Sequence, residues 1–380
     1  MRRLLLLLVI LLAAARLTAQ TSRLPRRIYV ENTEKSSHVQ GIAIDTLRGC
    51  AYFSFTTSLI KTDLQGRVLG SVTGLTCHLG CLDLDEQTGR VYASVEYKND
   101  EIGRGIMRIM GKQLGQRDNT FYIGIFDGDK INRVGIDAQS GGVMRTVFLP
   151  QVARFYEDTV VNQGRRVAHR YGCSGIDAIA LGPQMGSADG PARLYIDVAV
   201  YGDTTRTDND YQMLLEYDLK TLDRYARPLD QSRPHRVGPK RARRQLFVFT
   251  GNTSYGVQNL EYDPTHRWWW MAVYRGSKSL YPNYPLFTVD GTVKPRKQRL
   301  QGFDRKEKGL VLTLAAAGAR HPATGLRGWR QKAGQTGMHA LGNNLFYLAQ
   351  SDRTPEGIQT CEVRLYRFTG KARQPFEPVE

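Results

Sequence analysis

The sequence predicts an all-β protein, a five-bladed β-propeller, and two observations carry this prediction. A short apolar segment opened by small or polar residues recurs as HVQGIAID (38–45), HLGCLDLD (78–85), CSGIDAIA (173–180), GVQNLEYD (256–263) and TGMHALGN (336–343). Most copies are followed by an aromatic-rich second strand, and such self-similarity is typical of radial repeat folds. The fifth repeat runs out of chain before its fourth strand, while residues 27–31 form a strand that no repeat uses.

The five repeats predict blades at 38–73, 78–149, 173–250, 256–314 and 336–368, within one domain that covers residues 20–380. We expect the strand at 27–31 to close the last blade, because closure protects strand edges that would otherwise be exposed. Between the second and third strands of blade two lies an insertion, 98–119, with apolar residues at helical spacing. This pattern predicts a short helix on the face of the propeller that carries the long loops.

The N-terminus predicts export. Arg2 and Arg3 precede an apolar run from Leu4 to Ala15, and Leu17-Thr18-Ala19 follows, as in a signal peptide that ends near residue 19. The run is too short for a membrane span, which needs about 20 apolar residues. We expect a periplasmic or extracellular protein, with a retained membrane anchor as the alternative.

The net charge of the chain indicates the class of binding partner. The formal net charge is +17, which favours an anionic glycan or another acidic ligand; an arginine-rich surface that serves solubility is the alternative. No nucleic-acid-binding module is visible, and we expect a monomer. The five cysteines show no regular spacing, which argues against a disulfide framework and leaves a single bridge open.

Three carboxylates are candidates for chemistry in the central channel. Aligning the apolar positions of the inner strands predicts that Asp83, Asp177 and Glu261 occupy equivalent places in blades two, three and four. Carboxylates in an apolar strand are costly to bury unless they are paired, hydrated or bound to a cation. They are therefore interpreted as catalytic or metal-binding groups, with calcium as one candidate ion, or as structural hydrogen-bond acceptors.

Polar residues near the strand starts predict a binding site at the channel mouth. His38 and His78 are candidate catalytic groups, because imidazoles exchange protons near neutral pH. Candidate binding residues on the inner strands and the long loops are Gln40, His169, Arg170, Ser174, Tyr255, Gln258, Asn259, Trp329 and His339. The run Trp268-Trp269-Trp270 is interpreted as core, and no Gly-Xaa-Ser-Xaa-Gly, HExxH or P-loop motif is present.

Residues 27–368 resemble an uncharacterised exported bacterial propeller family and, more distantly, two groups of five-bladed proteins. Arabinanase-like glycoside hydrolases place two Asp and one Glu in the channel, which Asp83, Asp177 and Glu261 match in kind and order. Paired carboxylates suit glycoside cleavage, because one donates a proton while the other attacks or activates water. Calcium-dependent apyrases use Ser and Glu near the strand starts, where only Ser174 fits.

Three functions follow as hypotheses. The first is a carbohydrate-active hydrolase or lyase that uses the channel carboxylates and histidines. The second is a non-enzymatic propeller that binds an anionic glycan or a protein through its loops. The third, supported least, is a metal-dependent nucleotidase.

Overall fold

The computed structural model describes residues 24–32, 37–111, 118–187 and 189–380. The expected signal peptide at 1–19 lies outside these residues. Among the described residues, no helix has both the length and the apolar character needed to cross a membrane.

The described part of the chain forms 28 strands. The first ten are β1 (Arg27–Glu31), β2 (Val39–Asp45), β3 (Cys50–Phe55), β4 (Ser58–Asp63), β5 (Val68–Thr73), β6 (His78–Asp85), β7 (Arg90–Tyr97), β8 (Thr120–Asp127), β9 (Ile136–Asp137) and β10 (Met144–Phe148). The next ten are β11 (Thr159–Asn162), β12 (Arg165–Ala168), β13 (Cys173–Pro183), β14 (Ala192–Val200), β15 (Tyr211–Tyr217), β16 (Arg227–Pro228), β17 (Arg244–Phe249), β18 (Thr253–Asp263), β19 (Trp268–Arg275) and β20 (Leu286–Asp290). The last eight are β21 (Arg296–Arg299), β22 (Lys308–Val311), β23 (Ala319–Arg320), β24 (Arg327–Gly328), β25 (Met338–Gly342), β26 (Leu345–Arg353), β27 (Gln359–Phe368) and β28 (Phe376–Pro378).

Five antiparallel sheets form the blades of a propeller. Their strand orders from the inner edge are β2-β3-β4-β5, β6-β7-β8-β10, β13-β14-β15-β17, β18-β19-β20 and β25-β26-β27-β1. The inner strands β2, β6, β13, β18 and β25 contact one another in that order, and β25 contacts β2, so the ring is closed. The predicted five-bladed architecture is confirmed.

The N-terminal strand completes the last blade, as predicted. Strand β1 pairs antiparallel with β27 from Arg27↔Arg364 to Glu31↔Thr360. Ile28 and Val30 point into the core and are fully or almost fully buried, whereas Tyr29 between them is exposed. Strand β28 pairs with Tyr366–Phe368 on the same edge of β27, so β1 and β28 together cover the outer edge of this blade.

Blade four, predicted to span 256–314, has a three-stranded sheet, and its last segment does not add a fourth strand to that sheet. Strand β22 instead pairs in parallel with β17 on the outer edge of blade three, where it satisfies backbone groups that the edge would leave unpaired. The edge of β20 in blade four is met by isolated bridges, Val289 with Leu314 and Leu286 with Trp329. The residues after Asp290 therefore extend the neighbouring blade before they return to their own.

Within the described residues, three short α-helices lie in the loops: α1 (Glu101–Ile109), α2 (Pro150–Glu157) and α3 (Leu219–Tyr225). Helix α1 confirms the helix predicted within 98–119, and the side chain of Asp100 caps it by accepting a hydrogen bond from the Gly103 backbone.

Every inner strand is interrupted by a β-bulge or a similar register shift. In the first four blades the shift falls at Gln40, at Gly80-Cys81, at Asp177-Ala178 and at Gln258. A bulge leaves a residue outside the ladder and re-aims side chains. Three of these shifted residues, Gln40, Asp177 and Gln258, line one cavity, whereas the shift in β25 falls at Leu341, near the end of that strand.

Truncation of Ile28 tests the closure of the ring. We expect Ile28→Ala to lower the free energy of unfolding by about 2–5 kcal/mol, because it empties a buried position of the core. Tyr29→Ala on the exposed face of β1 is the matched control and should change stability far less. Urea denaturation of both variants measures this, and an equal effect would mean that β1 does not pack as described.

Candidate functional site

Two groups of titratable side chains lie along the channel. The upper cluster, near the strand starts, consists of His78, Glu96 and Asp177; the lower cluster, near the strand ends, consists of Asp83, Glu261 and His339. Within each cluster, the side-chain atoms that could bind a metal lie within 4.8 Å of one another. Each cluster borders its own cavity, of about 330 Å³ above and about 540 Å³ below.

The structure corrects the predicted equivalence of Asp83, Asp177 and Glu261. Asp83 and Glu261 share a register position two pairs before the hairpin turn, opposite Tyr92 and Trp270. In blade three this position belongs to Leu181, opposite Leu194. Asp177 lies at the bulge instead, so it takes the place held by Gln40 and Gln258 in other blades, and it joins the upper cluster.

The upper cavity has a polar floor and an apolar roof. Predicted residues on its wall include His38, Gln40, His78, Asp177, Tyr255 and Gln258. Helix α1 covers it with Ile102, Gly105, Ile106 and Ile109, at the i, i+3, i+4, i+7 spacing of one helix face. The volume is at the small end of the range of about 300–1,000 Å³ for ligand sites.

Glu96 is the fixed charge of the upper cluster. Its side chain is fully buried, and Oε1 accepts a hydrogen bond of 2.5 Å from the Ile176 backbone in the next blade. Oε2 lies 3.0 Å from Lys98 Nζ and 3.4 Å from His78 Nδ1. Burial opposes its charge, but Lys98 and His78 hold the pKa of Glu96 below its ordinary value. Glu96 is therefore ionised, and its Oε2 atom faces the His78 ring.

Asp177 has the opposite character. Burial, reinforced by the negative charge of Glu96, raises its pKa to about 7. Gln258 donates a hydrogen bond of 2.9 Å to Asp177 Oδ2. The two carboxyl groups are thus held in different protonation states near neutral pH, which is the usual basis for assigning an acid and a base in one site.

The lower cluster pairs two carboxyl groups with one imidazole. Burial, together with nearby Glu86 and Asp85, raises the pKa of Asp83 to about 7. Burial and the charge of Asp83 raise the pKa of Glu261 well above its ordinary value. His339, predicted at the upper mouth, lies here, and burial lowers its pKa to about 4.

Asn259 separates the two clusters. Its side-chain amide donates to the backbone carbonyls of Gln40 and Gln335, both at 3.3 Å, and the Cys81 thiol donates to Asn259 Oδ1 at 3.2 Å. Asn259 is buried, so it ties inner strands together across the channel and is not exposed to either cavity.

The remaining predicted residues lie outside the upper and lower cavities, and Arg170 lines a separate cavity with Tyr171 and Glu307. The Ser174 carbonyl accepts a hydrogen bond from Lys98. In the 150–172 insertion, His169 packs between Tyr156 and Tyr201, and Arg170 pairs with Asp158 at 2.6 Å. Trp329 is 1% exposed and packs on Trp270, so this structure gives a ligand no access to it.

Glu96 and Lys98 are two charged residues of the site that the pattern of the inner strands does not predict. They lie at and just after the end of the second strand of blade two. The signal was present as Glu-Tyr-Lys directly after the apolar strand VYASV, where two opposite charges one residue apart share a face.

Comparisons with known proteins give distant structural likeness. No protein-family model matches the chain, and no curated protein matches it. Similar solved structures include a family 43 glycoside hydrolase, a β-1,3-galactosidase with galactodeoxynojirimycin, at 12% identity and a TM-score of 0.42 over 91% of this chain and 95% of that one. Native arabinanase from Bacillus subtilis has 11% identity and a TM-score of 0.38 over 89% and 96%. The soluble aldose sugar dehydrogenase from Escherichia coli has 10% identity and 0.37 over 91% and 100%.

The variant Glu96→Gln tests whether the buried carboxylate of Glu96 stabilises the fold by pairing with Lys98. We expect Glu96→Gln to lower the free energy of unfolding by about 3–5 kcal/mol, because it leaves the buried ammonium of Lys98 without its main partner. The double variant Glu96→Gln, Lys98→Met should recover part of this loss, and Glu101→Gln on the surface of α1 is the control. Urea denaturation measures all three.

Glu96→Gln should also change how the free energy of unfolding depends on pH. Because the folded state lowers the pKa of Glu96, its contribution is present above about pH 4.3, the ordinary value for Glu, and is lost as the pH falls through the lowered pKa. The wild-type protein should therefore lose this stability on acidification, and Glu96→Gln should not. Equal acid sensitivity of the two proteins would contradict an ionised Glu96.

Proposed function

We propose that the protein is an exported carbohydrate-active enzyme that cleaves an acidic glycan by proton transfer at the upper cavity. The observation that carries the proposal is the convergence of His78 and Asp177, whose side-chain atoms approach within 4.8 Å, at the floor of a cavity large enough for a ligand. His78 acts as the base, Asp177 as the acid, and buried Glu96 positions His78.

The lining of the upper cavity suits a sugar. The roof is the apolar face of α1, and the floor opposite it carries the side-chain amides of Gln40 and Gln258. Amides bind hydroxyl and carboxylate groups, while an apolar wall packs against the carbon face of a ring. The net charge of +17 favours an anionic substrate over a neutral one.

The spacing favours elimination over hydrolysis. Inverting glycosidases hold their carboxyl groups about 6.5–9.5 Å apart to admit a water molecule, more than the upper cluster spans. Retaining enzymes need an accessible nucleophile, whereas Glu96 is fully buried and bound to Ile176 and Lys98. With Asp177 assigned as the acid, Glu96 is the other carboxylate of the cluster, and its burial speaks against a role as the nucleophile of hydrolysis.

Elimination at a uronic acid residue uses the groups that are present. His78 takes the proton from the carbon beside the sugar carboxylate, that electron pair forms a carbon–carbon double bond, and the bond to the glycosidic oxygen breaks. Asp177 gives its proton to the departing oxygen. Because His78 and Asp177 are neighbours, the proton gained by one can return to the other, and no water is consumed.

A panel of polysaccharides tests this function. Polygalacturonate and alginate supply uronic acids, and arabinan and galactan are neutral counterparts. We expect products with ultraviolet absorbance from the new double bond on a uronate glycan only. New reducing ends without that absorbance would replace elimination by hydrolysis, and binding without turnover would support the glycan-binding scaffold.

Substitution of Asp177 assigns the acid. We expect Asp177→Asn to lower kcat/KM by about 10²–10⁴-fold, the usual contribution of general acid–base catalysis. In the wild-type enzyme kcat/KM should fall as the pH rises past about 7, because Asp177 then loses its proton, and this limb should vanish in the residual activity of the variant. Asp129→Asn, on an exposed loop, is the matched control.

A further inference from the structure

The lower cavity has the features of a metal site that is separate from the upper cavity. Its wall includes Asp83, Glu261 and His339, which come from the inner strands of blades two, four and five. These three side chains converge, with their candidate ligand atoms within 4.8 Å of one another.

The lower cavity is lined by acidic side chains without a lysine or an arginine among its described residues. Besides Asp83 and Glu261, the cavity wall carries Glu86. The upper cluster is different, because Lys98 lies 3.0 Å from Glu96 and offsets its charge. Two facing buried carboxyl groups without a basic partner are costly unless they share a proton or bind a cation.

Backbone hydrogen bonds fix both carboxyl groups in place. Asp83 accepts from the Leu84 N–H at 2.7 Å and from the Leu181 N–H at 2.6 Å. Glu261 Oε1 accepts from the Ala340 N–H at 2.7 Å. Each carboxylate oxygen retains a lone pair beyond these bonds, so the pair is held in position and can still bind an ion.

His339 supplies an independent observation. Its Nδ1 is shut off from solvent and has no hydrogen-bond partner among the described residues. It lies 3.7 Å from Glu261 Oε1, which is too far for a hydrogen bond. Two ligands about 2.1 Å from one zinc ion stand roughly 3.0–3.6 Å apart at angles of 90–120°. The gap is therefore close to the spacing of two ligands on one ion.

We propose that Asp83, Glu261 and His339 bind one divalent transition-metal cation such as Zn²⁺, which joins three blades at the lower end of the channel. Two carboxylates and one imidazole are ligands of the types that zinc uses, and three protein ligands leave a position open towards the cavity. The ion would neutralise the carboxyl pair and would stabilise the closed ring, since it binds the folded state alone.

Calorimetric titration of the chelator-treated full-length protein with Zn²⁺ tests the proposal. We expect one equivalent of Zn²⁺ to bind and to raise the thermal unfolding temperature. Glu261→Gln, which keeps an oxygen for the Ala340 N–H, and His339→Gln should each lose that equivalent and the shift. Should Glu261→Gln fail to fold by circular dichroism, His339→Gln alone decides.

Two matched variants locate the ion. Glu86→Gln removes the same charge from the rim of the lower cavity, and Asp177→Asn alters the upper cluster; both should still bind one equivalent. Loss of binding in Asp177→Asn would move the metal to the upper cluster, and an equal loss in Glu86→Gln would mean attraction by net charge only. No binding to the wild-type protein, or preference for Ca²⁺ over Zn²⁺, also overturns the proposal.

Discussion

The constraint on which the propeller depends is the need to satisfy backbone N–H groups where the inner strands bulge. Just before the shift, the N–H groups of Leu79, Ile176 and Val257 each donate to an acceptor of the preceding blade. The first acceptor is the Thr56 carbonyl, and the other two are side-chain oxygens of Glu96 and Asp197. Buried N–H groups are almost always paired, so these bonds hold neighbouring blades in register around the channel.

The same rule places carboxylates beside the channel for a structural reason, and local charge then determines what each can do. Asp83 and Glu261 also accept N–H groups from the next blade. At the upper end, Lys98 keeps Glu96 ionised, which leaves Asp177 as the group that holds a proton near neutral pH. At the lower end the described cavity wall contains no such cation, so a shared proton or a metal has to balance the pair.

The repeats, the closing strand and the tryptophan run could be predicted from the sequence, because each depends on hydrophobic pattern. Asp177 could not be placed, since its bulge shifts the alignment of blade three by several residues and only the paired strand reveals the register. The sequence predicts Trp329 on a binding loop, yet its β-bridge to Leu286 places it in the core. Contacts between residues distant in sequence determine the positions of both side chains.

The middle of the channel explains how one propeller can hold two different sites. A Cβ atom on Gly41 would lie only 2.8 Å from the Leu82 backbone N and 3.0 Å from Cys81 Cα, so the inner strands of blades one and two nearly touch here. Asn259 bonds to Gln40 from the opposite side and accepts from Cys81 at the same depth. A ligand at one end therefore meets backbone and a bound amide before it can reach the other end. The two clusters can thus hold different charge balances: Lys98 offsets the carboxylate of Glu96 in the upper cluster, and no basic residue in the described cavity wall offsets the carboxyl pair of the lower cluster.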